Sequence, residues 1–481
     1  MRRSRWLLAL PVVLLACLML VAFSGLAWAD TAGASASAGA AAAAPPATGT
    51  AASGAAPATT PATVATTATA APKVDSGDTA WMLVSTALVM LMTPGLAFFY
   101  GGLVRRRNGL SIMMQCFILI AVISIQWVLF GYSLAFGPDH AGLIGGLSWV
   151  GLRGVGLAPN PDYAATIPAQ LFMVFQMMFA VITPALIIGA FAERMKFSAF
   201  LVFSILWATI VYDPLAHWVW GVGGILRQFG ALDFAGGTVV HINAGMAALA
   251  AALIVGKRRG HPDTGPPHNL PFAILGAALL WFGWFGFNAG SALTAGGLAT
   301  TAFVATHLAT CSAAAAWIFM DYIFNKRPTV LGAISGAVAG LVAITPASGF
   351  VSPMGALAIG AIAGLVCYVM VVVVKTKLGY DDALDAFGVH GIGGMVGAFA
   401  TGLWATKALN PAGADGLFHG NAHQALVQFV ALAAAAAYSF VLSYGLLKLV
   451  DKVMGLRVSD DEERIGLDLT QHKESAYTQM G

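Results

Sequence analysis

Eleven stretches of mainly apolar residues, each long enough to cross a bilayer, follow one another along this chain of 481 residues. They begin near residues 79, 110, 168, 198, 238, 270, 298, 329, 353, 387 and 423. A hydrocarbon core about 30 Å thick takes roughly 20 residues at 1.5 Å per residue to span as a helix, and a backbone crossing it must pair its N–H and C=O groups internally. The pattern therefore predicts an all-α polytopic membrane protein with eleven transmembrane helices. Only 9% of residues are charged, against roughly 25% in a soluble domain, so a soluble globule is excluded. The 56 glycines fall within apolar runs, which suits closely packed membrane helices. A net charge of +3 is small and dispersed, and nucleic acid is not an expected partner.

The loops test the count independently, because Lys and Arg collect on cytoplasmic loops. Seventeen of the 24 basic residues lie on one alternate set of connections: Arg105–Arg107, Arg194 and Lys196, Lys257–Arg259, Lys326 and Arg327, Lys375 and Lys377, and the tail from Lys448. The other set holds Lys73, Arg153, Arg227 and Lys407. This alternation predicts an extracytoplasmic N-terminus and a cytoplasmic C-terminus in the cell inner (plasma) membrane. Residues 1–29 have the basic start, apolar run and Ala27-Trp28-Ala29 cleavage site of a secretory signal, the alternative being an uncleaved first membrane helix. Residues 30–77, almost wholly Ala, Thr, Pro, Gly and Ser up to Pro72, lack side chains to build a core and predict a disordered extracytoplasmic tail. The membrane domain is expected over 78–450 and a cytoplasmic tail over 451–481. Four cysteines, all in apolar stretches without a CxxC pair, indicate neither a disulfide framework nor a zinc site.

Asp233 precedes His241 by eight residues at the fifth segment, and Asp382 precedes His390 by eight at the tenth. Two units of five helices, five being odd, run in opposite senses through a membrane, so the spacing fits a 5+5 inverted repeat plus one C-terminal helix.

An ionisable side chain within a spanning segment is costly and marks a functional candidate. These are Asp213, His217, His241, His307, Asp321 and His390. No helix carries paired carboxylates, an HExxH or a Ser-His-Asp set, so an enzyme is not expected and no cofactor or metal is implied. His241 and His390 lie in glycine-rich segments at corresponding repeat positions. As neutral rings at the interface of the repeats, each would offer one donor and one acceptor nitrogen to a small solute; the plainer reading is a ring that satisfies a nearby carbonyl, and it is the favoured one for His217 and His307. Phe175 and Phe179, four residues apart, share a helix face, Trp220 ends the fourth segment, and Trp281, Phe285 and Phe287 crowd the sixth. Such rings attract cations or exclude water from a narrow path, or simply pack.

Several stretches taken together resemble the ammonium transporters of the Amt, Mep and Rh superfamily, closest to bacterial Amt proteins. They are Asp233-Phe-Ala-Gly-Gly-Thr-Val-Val-His241-Ile-Asn-Ala-Gly245, Tyr100-Gly-Gly-Leu, Gly189-Ala-Phe-Ala-Glu193-Arg, Trp284-Phe-Gly-Phe-Asn-Ala-Gly-Ser291, Thr345-Pro-Ala and Asp385-Ala-Phe-Gly-Val-His390-Gly. The resemblance implies ammonium transport, with methylammonium as an analogue. It assigns Phe179, Trp220 and Ser291 to an outer recruitment site, Phe179 and Phe287 to a phenyl gate, and His241 and His390 to a pore. Asp233 becomes a buried acid beneath the recruitment site that orients backbone carbonyls. The resemblance also implies a homotrimer and a cytoplasmic PII-type signal protein docking on Lys257–His268 and the tail from Gly455 to Tyr477. The long Ala/Thr/Pro tail and Asp213 depart from the family pattern. Asp213 is expected either to strengthen cation recruitment from the vestibule or to pair at the helix end with Arg227 or a backbone amide. The rivals are a transporter of carbon dioxide, methylamine or urea on the same fold, an ammonium sensor signalling through a cytoplasmic protein, and a membrane enzyme or metal site.

Overall fold

A computed structural model describes residues 73–263 and 265–477. The expected signal over 1–29, and the tail up to Pro72, lie outside the described residues. Among the described residues, nine helical segments are long and apolar enough to cross a membrane. They are α1 (Ser76–Leu103), α2 (Arg106–Phe136), α3 (Ala169–Phe191), α4 (Phe197–Gln228), α5 (Gly237–Val255), α6 (Leu270–Ala292), α7 (Gly297–Asn325), α9 (Pro353–Leu378) and α11 (Ala422–Met454). The other two expected segments are shorter or less apolar. The eighth, α8 (Val330–Ile344), has 15 residues. The tenth, α10, runs from a π turn at Phe387–Gly391 into Ile392–Trp404, with His390 and six glycines diluting its apolar character. The starts of these segments fall within four residues of the sequence expectation. Helix α1 begins two residues before the expected domain start at 78, because the Asp75 carboxylate accepts the Asp78 N–H and caps it.

Helices α1 and α6 pack through glycine: a Cβ on Gly276 would stand 2.1 Å from the Phe99 nitrogen, and one on Gly102 2.5 Å from the Asn269 carbonyl oxygen. Helix α3 lies at the centre, buried along nearly its whole length. Helices α5 and α10 enter from opposite faces and meet in the middle. There a Cβ on Gly245 would fall 2.2 Å from both the nitrogen and Cα of Gly391, so the two backbones touch. Each of these helices opens on a π turn, Gly237–Ile242 and Phe387–Gly391, and each π turn carries a histidine. Asp233 and Asp382 cap the two turns. Asp233 accepts four backbone N–H groups, from Gly236, Gly237, Thr238 and Val239, at 2.7–3.1 Å; Asp382 accepts those of Ala386 and Phe387. The eight-residue Asp-to-His spacing is thus one capping device used twice, in opposite directions. A two-stranded clasp, β1 (Asp139–His140) and β2 (Ile144–Gly145), covers the face opposite the basic one.

On the basic face the chain beyond Met454 folds back instead of trailing away. The Leu467 N–H donates to Asn108 Oδ1 and the Ser111 N–H to Asp468 Oδ1, each at 2.8 Å. The Arg106 guanidinium stacks over the Tyr477 ring at 4.7 Å. Beneath this tail lies a buried ionic cluster. Glu193 pairs with Arg105 at 2.9 Å and Arg258 at 3.2 Å, Arg258 with Asp381 at 2.9 Å, and Arg457 with Glu463 at 2.7 Å. Burial disfavours the charged form of Glu193, yet Arg105 and Arg258 together hold its carboxyl below the usual range. Burial acts likewise on Asp381 and is outweighed by the Arg258 hydrogen bonds and the Arg194 charge, leaving that carboxyl well below its ordinary value. Both acids therefore take up protons more readily in the unfolded chain, near pH 4, than in the folded one. Their contribution is complete above about pH 5 and is lost as pH falls toward the depressed native values. The thermal unfolding midpoint in detergent is expected to hold steady from pH 7 to 6 and to decline below about pH 5, with a shallower decline in Asp381→Asn. A midpoint flat into strong acid would contradict the assignment.

Candidate functional site

Helices α3, α4 and α6 bring four of the predicted residues to one cavity or its floor. Phe179 on α3, Trp220 near the end of α4 and Ser291 at the end of α6 line an outer cavity of about 210 Å³, together with Tyr163, Gln176 and Arg227. The Phe179 and Trp220 ring centroids are 6.0 Å apart and nearly perpendicular. The Trp220 indole N–H donates to the Asp233 carbonyl oxygen at 3.0 Å, which fixes the ring over the start of α5. The Ser291 hydroxyl donates to the Phe287 carbonyl at 2.8 Å, one turn back on its own helix. The resemblance implied that the Asp233 carboxylate orients carbonyls. In the structure the carboxylate accepts the N–H groups of the turn that follows, because it stands at a helix start whose first donors have no other partner.

Phe179 and Phe287 close the cavity floor, their centroids 4.3 Å apart and tilted by 37°. Both rings are almost wholly buried. Phe175 braces Phe179 edge-on at 5.0 Å. Below the phenyl pair lies a passage with about 10 Å³ of free space, lined by Met92, Ile182, Trp284, Phe287, His241 and His390, which is room for one water-sized occupant. The two histidine rings lie nearly parallel, 5.4 Å between centroids, with Nδ1 facing Nδ1 at 3.3 Å. One ring therefore donates and the other accepts. His241 Nε2 is buried and has no hydrogen-bond partner among the described residues, so a polar nitrogen stands at a passage that is apolar apart from the two histidines. His390 also borders an inner cavity of about 180 Å³ with Tyr100, Ser335 and Asp385. At its edge Lys375 pairs with Asp385. Burial, and then the charge of Asp385, push the Asp382 carboxyl up to about 6, with Lys375 acting the other way.

The predicted site residues thus fall in one series from outer cavity to inner cavity, and Trp284 joins them. Its ring stacks on His241 at 5.3 Å while its N–H donates to Thr345 Oγ1 at 2.9 Å. The signal was present in the sequence, since Trp284 stands three residues before Phe287 and so shares its helix face. The remaining candidates lie elsewhere. Trp281 and Phe285 cluster with His307 on the outside of the bundle. Asp321 caps the chain beyond α7 through Asn325 and Thr329. Neither expectation for Asp213 holds: it is fully buried, away from the outer cavity, and takes a hydrogen bond from Gln126 Nε2 at 2.7 Å, while Arg227 donates to the Trp220 carbonyl.

These features define a multi-pass helical membrane protein with a narrow passage inside a single chain, lined by aromatic rings and two histidines. The sequence model of the Ammonium Transporter Family matches residues 80–477. The ammonium transporter of Bacillus subtilis strain 168 is 57% identical over 401 residues, covering 83% of this chain and 98% of its own. Ammonium transporter Amt1 of Archaeoglobus fulgidus is 49% identical over 407 residues, 84% of this chain and all of its own. The crystal structure of Saccharomyces cerevisiae Mep2 superposes with a TM-score of 0.76 at 37% identity, over 81% of this chain and 88% of that one. The chain belongs to the ammonium transporter family.

Proposed function

We propose that this chain carries ammonium across the membrane, recruiting the cation at the outer aromatic cavity and passing ammonia between His241 and His390. The observation that carries the reading is the change of environment along one line: a roomy cavity walled by Trp220, Phe179 and Ser291, two phenyl rings in contact, then a passage sized for one small molecule with two imidazoles in it. Aromatic faces stabilise a cation by about 0.5–2 kcal/mol, and a potassium ion stripped of water in the passage would find no charge to replace its shell. Ammonium differs in being able to leave its proton behind. Beyond the phenyl pair it travels as a neutral molecule, with imidazole nitrogens to accept and donate hydrogen bonds. Transport is favoured over sensing because the relatives above are named as transporters.

The remaining parts of the reading rest on loop charge and family. The basic face lies in the cytoplasm and the N-terminus outside, in the inner (plasma) membrane. Helices α8 and α10 complete eleven spans. Three copies assemble, each with its own path, and a PII-type protein docks on the basic face. Residues 1–29 are a signal and 30–77 an extracytoplasmic spacer.

Trp220→Ala tests recruitment. In proteoliposomes the half-saturating ammonium concentration is expected to rise about tenfold, the equivalent of ~1.4 kcal/mol, with the maximal rate altered far less. An unchanged half-saturation would remove Trp220 from the recruitment site.

A further inference from the structure

Trp220 stands near the end of α4, and something must hold that end against the rest of the outer face. One turn earlier, His217 is completely buried. Its Nδ1 lies 3.0 Å from the Ala135 carbonyl oxygen and its Nε2 2.8 Å from Asp139 Oδ1. Both neighbours are acceptors. A neutral imidazole has one N–H and satisfies one of them; a ring with both nitrogens protonated satisfies both. The partner carboxylate sits on the part-exposed β1 strand, where the His217 hydrogen bond, aided by the Gly142 N–H and opposed by burial, holds its pKa below the ordinary value. An imidazolium facing a carboxylate accounts for every contact, and such charge-assisted bonds are roughly twice as strong as neutral ones.

The chain that follows Trp220 is wrapped closely round this pair. A Cβ on Gly221 would fall 2.4 Å from His217 Nδ1, and one on Gly223 2.5 Å from Asp139 Cβ. The Trp218 indole donates to the Leu143 carbonyl at 2.8 Å and the Val222 N–H to the Tyr163 hydroxyl at 3.1 Å. The contacts of His217, the Trp218 indole and the Val222 N–H thus run to the 135–163 segment, beside the Trp220 indole's own bond to the Asp233 carbonyl, and the His217–Asp139 contact is the ionic one among them. Tyr163 itself lines the outer cavity.

We propose that His217 and Asp139 form a positioning clamp that sets where the Trp220 indole stands over Phe179, and hence the affinity for the recruited cation. The inference rests on the recruitment reading above. The pair is electrically neutral as a whole, so it fixes the rim of the cavity without adding a repulsive charge beside an incoming cation. Removing the carboxylate alone would leave a buried ring facing an acceptor without its counter-charge.

The test compares wild type, Trp220→Ala, His217→Gln, Asp139→Asn, Asp139→Glu and the His217→Gln, Asp139→Asn double variant, each reconstituted and assayed for ammonium-evoked transport. Both single substitutions that break the pair should raise the half-saturating concentration about fivefold, with maximal rates within about twofold of wild type. The double variant should be no worse than the poorer single one, because both remove the same interaction, and Asp139→Glu should recover most of the affinity. Asp139 is part-exposed, so its variants keep the test readable if His217→Gln does not accumulate. An unchanged half-saturation in Asp139→Asn while Trp220→Ala raises it, effects that multiply in the double variant, or a loss of maximal rate alone would each overturn the clamp. An unchanged half-saturation in Trp220→Ala overturns the recruitment reading and the clamp with it.

Discussion

His241→Ala combined with His390→Ala is expected to lower the ratio of ammonium to potassium conductance by about tenfold or more, a change of ~1.4 kcal/mol in discrimination. The reason lies in how few polar groups the passage offers. Its other walls are Met, Leu, Ile, Val and aromatic side chains, so the two imidazoles supply the hydrogen bonds that a molecule shed of water can use. Their Nδ1 atoms face each other at 3.3 Å and the outer face of His241 stacks on Trp284. Removing both rings leaves either a dry apolar plug or a wider hole that fills with water. The plug abolishes ammonium flux, and the hole admits hydrated ions. The hole lowers the ratio, while the plug silences the ammonium current itself. Ammonium-evoked current, potassium current and luminal pH in proteoliposomes of the folded variant distinguish the two, and a ratio equal to wild type would return the histidines to a packing role.

Asp233→Ala is expected to cost several kcal/mol of stability. Four backbone N–H groups converge on the Asp233 carboxylate, and each buried donor left without an acceptor costs about 1–3 kcal/mol. The loss falls on the π turn that carries His241 and on the carbonyl that holds the Trp220 indole. We expect the alanine variant to accumulate poorly or to melt on the order of 10 °C lower. Asp233→Asn should lie between, since its amide keeps one acceptor oxygen but turns an NH2 toward N–H donors. The comparison is a thermal midpoint in detergent followed by transport in the surviving variants. An alanine variant that melts and transports like wild type would show that water replaces the carboxylate without cost.

Much of this arrangement can be read before any coordinates exist, because its determinants are local. Helix starts follow from apolar run length and from caps, and the paired Asp-to-His spacing marks two helix beginnings with the same cap. Phe175 and Phe179 share a face by helical spacing alone. What the sequence conceals is long-range or subtle. A π turn shifts hydrogen bonds by one residue and leaves no trace in the apolar pattern, so the turns under His241 and His390 were not foreseeable. Asp213 looked like an outer-mouth charge because nothing in the sequence ties it to Gln126, 87 residues earlier. Which four N–H groups the Asp233 carboxylate gathers depends on a backbone path that only the fold supplies. The return of the tail onto Asn108 and Ser111 likewise joins residues more than 350 apart.

The backbone contact between Gly245 and Gly391 bears on how such a path opens. A rocking of one half of the molecule against the other would have to pull these two chains apart at the level of the histidines. Rotation of the Phe179 and Phe287 rings disturbs no backbone at all. On the proposed route the moving parts are then two phenyl groups swinging about single bonds in a frame that stays still. Collective domain swings take microseconds to milliseconds, and the turning of two rings requires none of them. A passage gated by rings needs no return stroke, and its traffic is metered by how often the two rings part.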